Sequence, residues 1–439
     1  MANTAARVEI QDLIDSRPLS GLQIFVIAAC ALSVVFDGFD LQVMALTVPA
    51  LSKAWSLPPP EFKFALSSSL LGMGIGAAFI APLGDRHGRR TLLVLSLFAV
   101  GISALACAAA QNLTQMALFR FFTGVGLGVS MANAIALTAD YVPRARRSTL
   151  VTLMFCNNAT GALVAGLTAP AMVAWLGWRG PFVLGGVLPI ASALLLLMAP
   201  ESLKFLLYRR PGHAAIARNL ARLSPGTDAQ QVYVNPPPDA ASGNVGDLLV
   251  PRYRSRTLWL WLAFAMTAFV LYLLVSWLPT LLLSAGWSVS QAQNAVAFNQ
   301  AGGILGGILL ATQMDRLGGE RILLVGFLIC TLSLLLFLVV PSGFWTWGAL
   351  LIVIGACTGG AIFTLPSLGT RYYPAAILST GTGWGSAFAR IGAFFAPLFG
   401  GALMARGMST QDLLTLLAVP ALIAAVAMVG LMRAGSSGE

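Results

Sequence analysis

Asp37 and Asp40 stand three residues apart in VFDGFDLQVM (35–44), inside an apolar run from about Leu22 to Lys53. On a helix, positions i and i+3 share a face, so both carboxylates project in nearly the same direction. A carboxylate in a lipid-embedded helix is costly, and such residues mark ion and proton pathways. Two of them this close resist being charged together, which suits a proton carrier. The competing reading is a structural salt bridge.

Arg120 and Arg390 are the matching cations, each inside an apolar segment. A guanidinium holds a carboxylate through two parallel hydrogen bonds, which suits an anionic substrate or permanent neutralisation of an aspartate. Arg120 lies near the depth of Asp40 and is expected to pair with Asp37 or Asp40. Arg390 has no acid on its own segment and is expected to clamp the substrate. Asn133, Asn157 and Trp384 are candidate lining groups among several in-span polar and aromatic residues, with Asn158, Trp277, Asn299 and Gln300. Helix–helix hydrogen bonding is an equally good account of the asparagines.

A second constellation is GDRHGRR (84–90), with Asp85, Arg86, Gly88, Arg89 and Arg90 between two apolar segments. Charges at a helix end can latch against a neighbour through ion pairs and the helix dipole. Asp140, just before YVPRARR, is expected to join this latch by pairing with Arg86, Arg89 or Arg90. A partial copy, MDRLGGERILLV (314–325), carries Asp315 and Arg316. Asp85 and Asp315 are 230 residues apart, and Pro143 and Pro374 are 231 apart. The shared offset argues for a duplicated unit, as in transporters whose site lies between two repeats.

Twelve segments must position these residues: roughly 20–46, 61–83, 91–111, 113–140, 147–172, 181–199, 256–284, 290–312, 321–341, 343–371, 376–405 and 411–432. Each is close to the roughly 20 apolar residues a membrane crossing needs. Of 26 Lys and Arg, twenty fall on the side of the termini, four on the other side, and two, Arg120 and Arg390, inside spans. Positive residues stay cytoplasmic, so both termini are expected in the cytoplasm. The chain divides into a cytoplasmic segment 1–19, a six-helix bundle 20–199, a linker 200–255, a second bundle 256–432 and a tail 433–439. The linker opens with ESLKFLLYRRPGHAAIARNLARLSP, read as one amphipathic basic helix on the inner surface.

Composition excludes most other classes. The chain is 57% hydrophobic and 10% charged, whereas soluble domains carry about 25% charge. The net charge of +10 follows from the loop arginines, so no nucleic-acid partner is expected. The five cysteines sit in apolar segments and form no metal-type pair. The histidines, His87 and His213, lie in loops, and no catalytic set accompanies them. GVGLG (124–128) and GGILGG (302–307) lie mid-span and read as close-packing faces, not nucleotide loops. An enzyme is not expected, nor a metal or cofactor.

GDRHGRR resembles the loop signature of the major facilitator superfamily, with Ala81 where its leading glycine usually stands. DGFD, FRFFTGVGLGVSMANAIAL with Arg120, MFCNNATGA, WLPTLL and GTGWGSAFARIGA with Arg390 resemble its aromatic acid:proton symporters. IQDLIDSRPLSGLQ and PESLKFLL add to the likeness, which spans nearly the whole chain. The resemblance implies an all-α membrane fold of two six-helix bundles. It also implies a monomer in the bacterial cytoplasmic membrane that imports a hydroxybenzoate-like acid with a proton by alternating access. Asp37 and Asp40 match the family's acidic pair, and Arg120 and Arg390 its intramembrane arginines. Leu378 stands where members often carry Arg, and Asn157 where small residues are usual. The alternatives are a proton-coupled exporter of organic acids or drugs, a carrier of non-aromatic anions, a sugar carrier and a non-transporting receptor.

Overall fold

The structure, a computed structural model, describes residues 8–209, 214–224, 232–234 and 245–436. Among them are twelve helices long and apolar enough to cross a membrane. The first six are α1 (Gly21–Trp55), α2 (Pro59–His87), α3 (Arg89–Ala109), α4 (Leu113–Tyr141), α5 (Asn157–Leu176) and α6 (Arg179–Leu196). The second six are α7 (Pro251–Ser284), α8 (Val289–Met314), α9 (Gly319–Leu338), α10 (Phe344–Gly369), α11 (Thr380–Ala405) and α12 (Thr410–Ala434).

The first helix runs nine residues past its expected end at 46. It passes through Pro49, buries Leu51, leaves Lys53 exposed in its last turn and stops at Ser56 with φ 53°. A proline inside a helix therefore marks no end when the residues beyond it still have an apolar face to bury. The second helix is interrupted by a π turn at Gly76–Ile80. The linker forms two short helices, Leu203–Arg209 and Ala214–Leu223, where one was expected. Leu203, Leu220 and Leu223 pack on Ile10, Leu13, Ile14 and Val232, so part of their apolar surface faces the N-terminal segment. Val8–Glu9 pairs in parallel with Val232–Tyr233.

Small residues bring helices together in the same way in both halves. A Cβ on Gly124 would stand 2.0 Å from the Ser69 carbonyl oxygen, joining α4 to α2. A Cβ on Gly306 would stand 2.0 Å from that of Ala356, joining α8 to α10. Backbone contact of this kind drives helix association where lipid provides no hydrophobic drive. The expected close-packing faces at 124–128 and 302–307 are these two seams.

At the end opposite the termini, one apolar core draws on both halves, with Val43, Phe62 and Phe182 beside Leu274, Trp277 and Trp347. A recess of about 870 Å³ borders it near Pro49, Pro170 and Pro279. At the terminus-bearing end the cores are separate. Val26, Leu97 and Leu137 belong to the first half; Leu260, Phe327 and Leu365 belong to the second. The halves share an apolar core at the far end, and each has its own at the terminus-bearing end.

Candidate functional site

Asp40 and Arg120 form a buried pair. Arg120 Nη1 donates to both Asp40 carboxylate oxygens, at 2.7 and 2.6 Å, and Nη2 reaches the Asp40 carbonyl at 3.4 Å. Both side chains are almost fully shielded. Neither lines a cavity described here, so the pair acts inside the first half, tying α1 to α4.

Asp37, one turn earlier, has a different environment. It is 0% exposed, and neither carboxylate oxygen has a hydrogen-bond partner. It lines a cavity of about 240 Å³ between the halves. Arg390 from α11 and Tyr272 from α7 line the same cavity, with Asn158 from α5 and Phe264 from α7. Arg390 makes no hydrogen bond or ion pair among the described residues, though it lies within electrostatic reach of Asp37 and Tyr272. The i,i+3 spacing leaves about 60° between two side chains. At the seam between the halves that angle sends Asp37 into the cavity and Asp40 into its own bundle.

Close packing fixes these positions. A Cβ on Gly38 would stand 1.7 Å from the Asn158 carbonyl oxygen, and one on Gly161 would stand 1.8 Å from that of Val35. The backbones of α1 and α5 therefore touch beside Asp37. A Cβ on Gly74 would meet Arg390 Cδ at 3.4 Å, so the stem of Arg390 lies across α2 of the opposite half. Leucine, methionine, isoleucine and phenylalanine side chains supply most of the remaining wall. A volume below the roughly 300–1,000 Å³ of drug-sized sites suits one ring carrying a small charged group. No group of three or more metal-ligating side chains occurs among the described residues.

Three of the expected lining residues lie outside this wall. Asn133 is buried and donates to the carbonyls of Ala81 (3.3 Å) and Val129 (2.9 Å), stapling α4 to the end of α2. Asn157 lies one residue off, and the neighbouring Asn158 lines the cavity. Trp384 is 40% exposed and sits 5.9 Å from Trp261, which itself stacks on Phe388 at 4.4 Å. Tyr272 and Phe264 complete the wall without belonging to any motif in the sequence. A lone tyrosine in the middle of an apolar span was the available signal for the first.

The loop cluster closes within the first half. Asp140 Oδ2 accepts from Arg89 Nη1 and Ser202 Oγ, each at 2.5 Å, and Asp85 accepts from Arg89 Nη2 at 3.0 Å. Glu201 caps the start of α3 by accepting the backbone N–H of Arg90 (2.9 Å) and Thr91 (3.2 Å). Arg90 donates to the Leu196 and Leu197 carbonyls at the end of α6. Arg86 is exposed and forms no ion pair among the described residues. Gly88 takes φ 110°, and its counterpart Gly318 takes φ 85°. The second half repeats the cluster with its charges exchanged. Glu320 and Arg371 occupy the places of Arg89 and Asp140, 231 residues on, and bond at 2.9 Å. Tyr372 also donates to Glu320. The side chains of Asp315 and Arg316 lie outside the described residues.

The family model described as "Major Facilitator Superfamily" matches residues 30–397 and 260–437. The chain is 34% identical to a gallate transporter of Pseudomonas putida, covering 97% of this chain and 95% of that one. It is 33% identical to the 4-hydroxybenzoate transporter PcaK of Pseudomonas aeruginosa, covering 98% of each. It is 32% identical to the 3-(3-hydroxy-phenyl)propionate transporter of Escherichia coli, covering 92% and 93%. Among solved structures, the inward-open xylose transporter XylE of E. coli superposes with a TM-score of 0.73 at 17% identity, over 92% of this chain and 95% of that one.

Proposed function

Since the chain belongs to the Major Facilitator Superfamily, as a transporter akin to its aromatic acid carriers and not an enzyme, we propose that it imports an aromatic carboxylate together with one proton. The membrane is the bacterial cytoplasmic membrane, with both termini inside, as the distribution of Lys and Arg supports.

The observation that carries this reading is the contrast between the two acid–arginine sets. Asp40 and Arg120 satisfy each other, whereas Asp37 and Arg390 face one small cavity without hydrogen-bond partners. An uncompensated charge in a dry, low-dielectric site costs several kcal/mol, so the cavity closes readily only when its charges cancel. Empty, Asp37 and Arg390 cancel each other. With a proton alone the site carries a net positive charge; with an anion alone it carries a net negative one. With a proton on Asp37 and a carboxylate bidentate on Arg390, it is neutral again. Only the empty and the doubly loaded carrier cross between states, which is symport of one proton per monoanion.

The core shared by both halves at the far end, with separate cores at the terminus-bearing end, supports a cytoplasm-facing stage of that cycle. Return to the outward state requires that core to part and the terminus-bearing ends to meet.

The test is uptake into proteoliposomes of labelled benzoates, phenylpropionates and dicarboxylates under imposed gradients. Acidifying the outside is expected to drive uphill accumulation of an aromatic monoanion. A potassium diffusion potential alone is expected to drive none, because the loaded step moves no net charge. Exchange that ignores the pH gradient overturns the symport reading. Accumulation driven by potential alone overturns the one-proton balance.

A further inference from the structure

Beside the main cavity lies a smaller pocket of about 60 Å³. The two share Leu41, Asn158, Leu271, Tyr272, Ile362 and Phe363, so they adjoin along a common wall. The pocket adds two amides. Gln42 comes from α1 in the first half, and Gln300 from α8 in the second. Gln42 is 1% exposed, and neither its Oε1 nor its Nε2 has a hydrogen-bond partner. Gln300 makes no hydrogen bond among the described residues.

A buried carboxamide left unpaired is destabilising and rare in native proteins, so each instance needs a physical reason. A single trapped water is a poor one here, because a water needs only about 10–15 Å³. The pocket is several times larger. Its other walls are aliphatic or aromatic, apart from Asn158 and the Tyr272 hydroxyl. It has room for the edge of a ring, with donors and acceptors on facing sides.

We infer that this pocket reads ring hydroxyls. The inference rests on the proposed transport of an aromatic carboxylate and assigns Gln42 and Gln300 as the residues that discriminate among ring substituents at the edge away from the carboxylate. With the carboxylate on Arg390, that edge enters between Gln42 and Gln300. A phenolic hydroxyl donates one hydrogen bond and accepts others. Each amide does both, so adjacent meta and para hydroxyls can pair with both halves at once. A benzoate without hydroxyls leaves the amides unpaired, and sites that need a hydroxyl reject analogues lacking it.

The experiment is uptake and competition with benzoate, 4-hydroxybenzoate, 3,4-dihydroxybenzoate and 3,4,5-trihydroxybenzoate. It uses reconstituted wild type, Gln42→Leu and Gln300→Leu. In wild type, KM is expected to fall about threefold to tenfold for each hydroxyl that gains a partner. In either variant, the ratio of the KM for the dihydroxy acid to that for benzoate is expected to rise about tenfold. Unchanged ratios in both variants overturn the inference, as does equal loss of every substrate in both, which marks the amides as structural. Arg390-dependent uptake of benzoate with no discrimination in wild type overturns this inference alone. Failure to take up any aromatic acid overturns the transport reading and the inference together.

Discussion

Replacing Asp37 and Asp40 by asparagine, one at a time, should give opposite phenotypes from two residues one helical turn apart. Asp40→Asn removes the counter-charge of a guanidinium that is 1% exposed and whose Nε already lacks a partner. Breaking one side of a buried pair costs about 3–5 kcal/mol. At about 2–4 °C per kcal/mol for a body the size of one half, the melting temperature should fall by about 6–20 °C. Adding Arg120→Gln should recover much of the loss, because no buried charge then stands alone. Asp37→Asn loses no hydrogen bond, since Asp37 makes none, but it leaves Arg390 without a counter-charge across the cavity; because that guanidinium lines a cavity and is not sealed in a bonded pair, the destabilisation should be smaller than for Asp40→Asn. Its transport should change in kind. Exchange of substrate between equal pools should continue, while accumulation against a gradient should vanish. The assays are thermal unfolding of the purified protein, counterflow, and pH-jump uptake in proteoliposomes. Equal destabilisation by the two substitutions would refute the assignment of roles. So would uphill accumulation by Asp37→Asn present at normal abundance.

Three further outcomes follow from the geometry. Arg390→Lys keeps the charge but loses the two-pronged grip, so KM for an aromatic carboxylate should rise about tenfold or more, measured by competition at fixed pH. Gly38→Ala places a Cβ 1.7 Å from the Asn158 carbonyl oxygen and should lower stability by about 1–3 kcal/mol, whereas Gly166→Ala, with nothing within 4 Å, should be neutral or gain up to about 1 kcal/mol; parallel melting curves decide. Glu320→Arg sets two guanidiniums against each other at Arg371 and should reduce activity, and the double change with Arg371→Asp should restore most of it, read as uptake per unit of protein in the membrane.

Charge placement was the legible part of the molecule. A guanidinium inside an apolar span is costly without a partner, and the two aspartates lay near the depth of Arg120, so a pairing with Asp37 or Asp40 followed from cost alone. The split between Asp37 and Asp40 was not legible, because it depends on which side of the seam each side chain falls. The same limit explains the asparagines: one residue rotates a helical position by about 100°, enough to exchange Asn157 for Asn158. Asn133 has the chemistry of a ligand but is occupied by two backbone carbonyls, and only coordinates reveal that. Residue identity between the halves points to Asp315 and Arg316 as the second copy of the latch. Its counterpart at Glu320 and Arg371 preserves attraction while exchanging sign, so a search for identity passes over it. The π turn in α2 leaves no mark in composition.

The cavity and the pocket beside it are each walled by both halves. Asp37, Gln42 and Asn158 ride on the first half, while Arg390, Tyr272 and Gln300 ride on the second. In the proposed alternating cycle, a bound molecule is therefore a strut between two jaws, and its length sets how far they can close. A molecule too short to reach both jaws leaves them uncoupled, however well one jaw holds it. A rigid molecule too long for the gap props them apart and becomes an inhibitor in proportion to its affinity. On that cycle the carrier would work as a caliper, selecting cargo by the span at which the jaws meet, so that its tightest ligands need not be its fastest passengers.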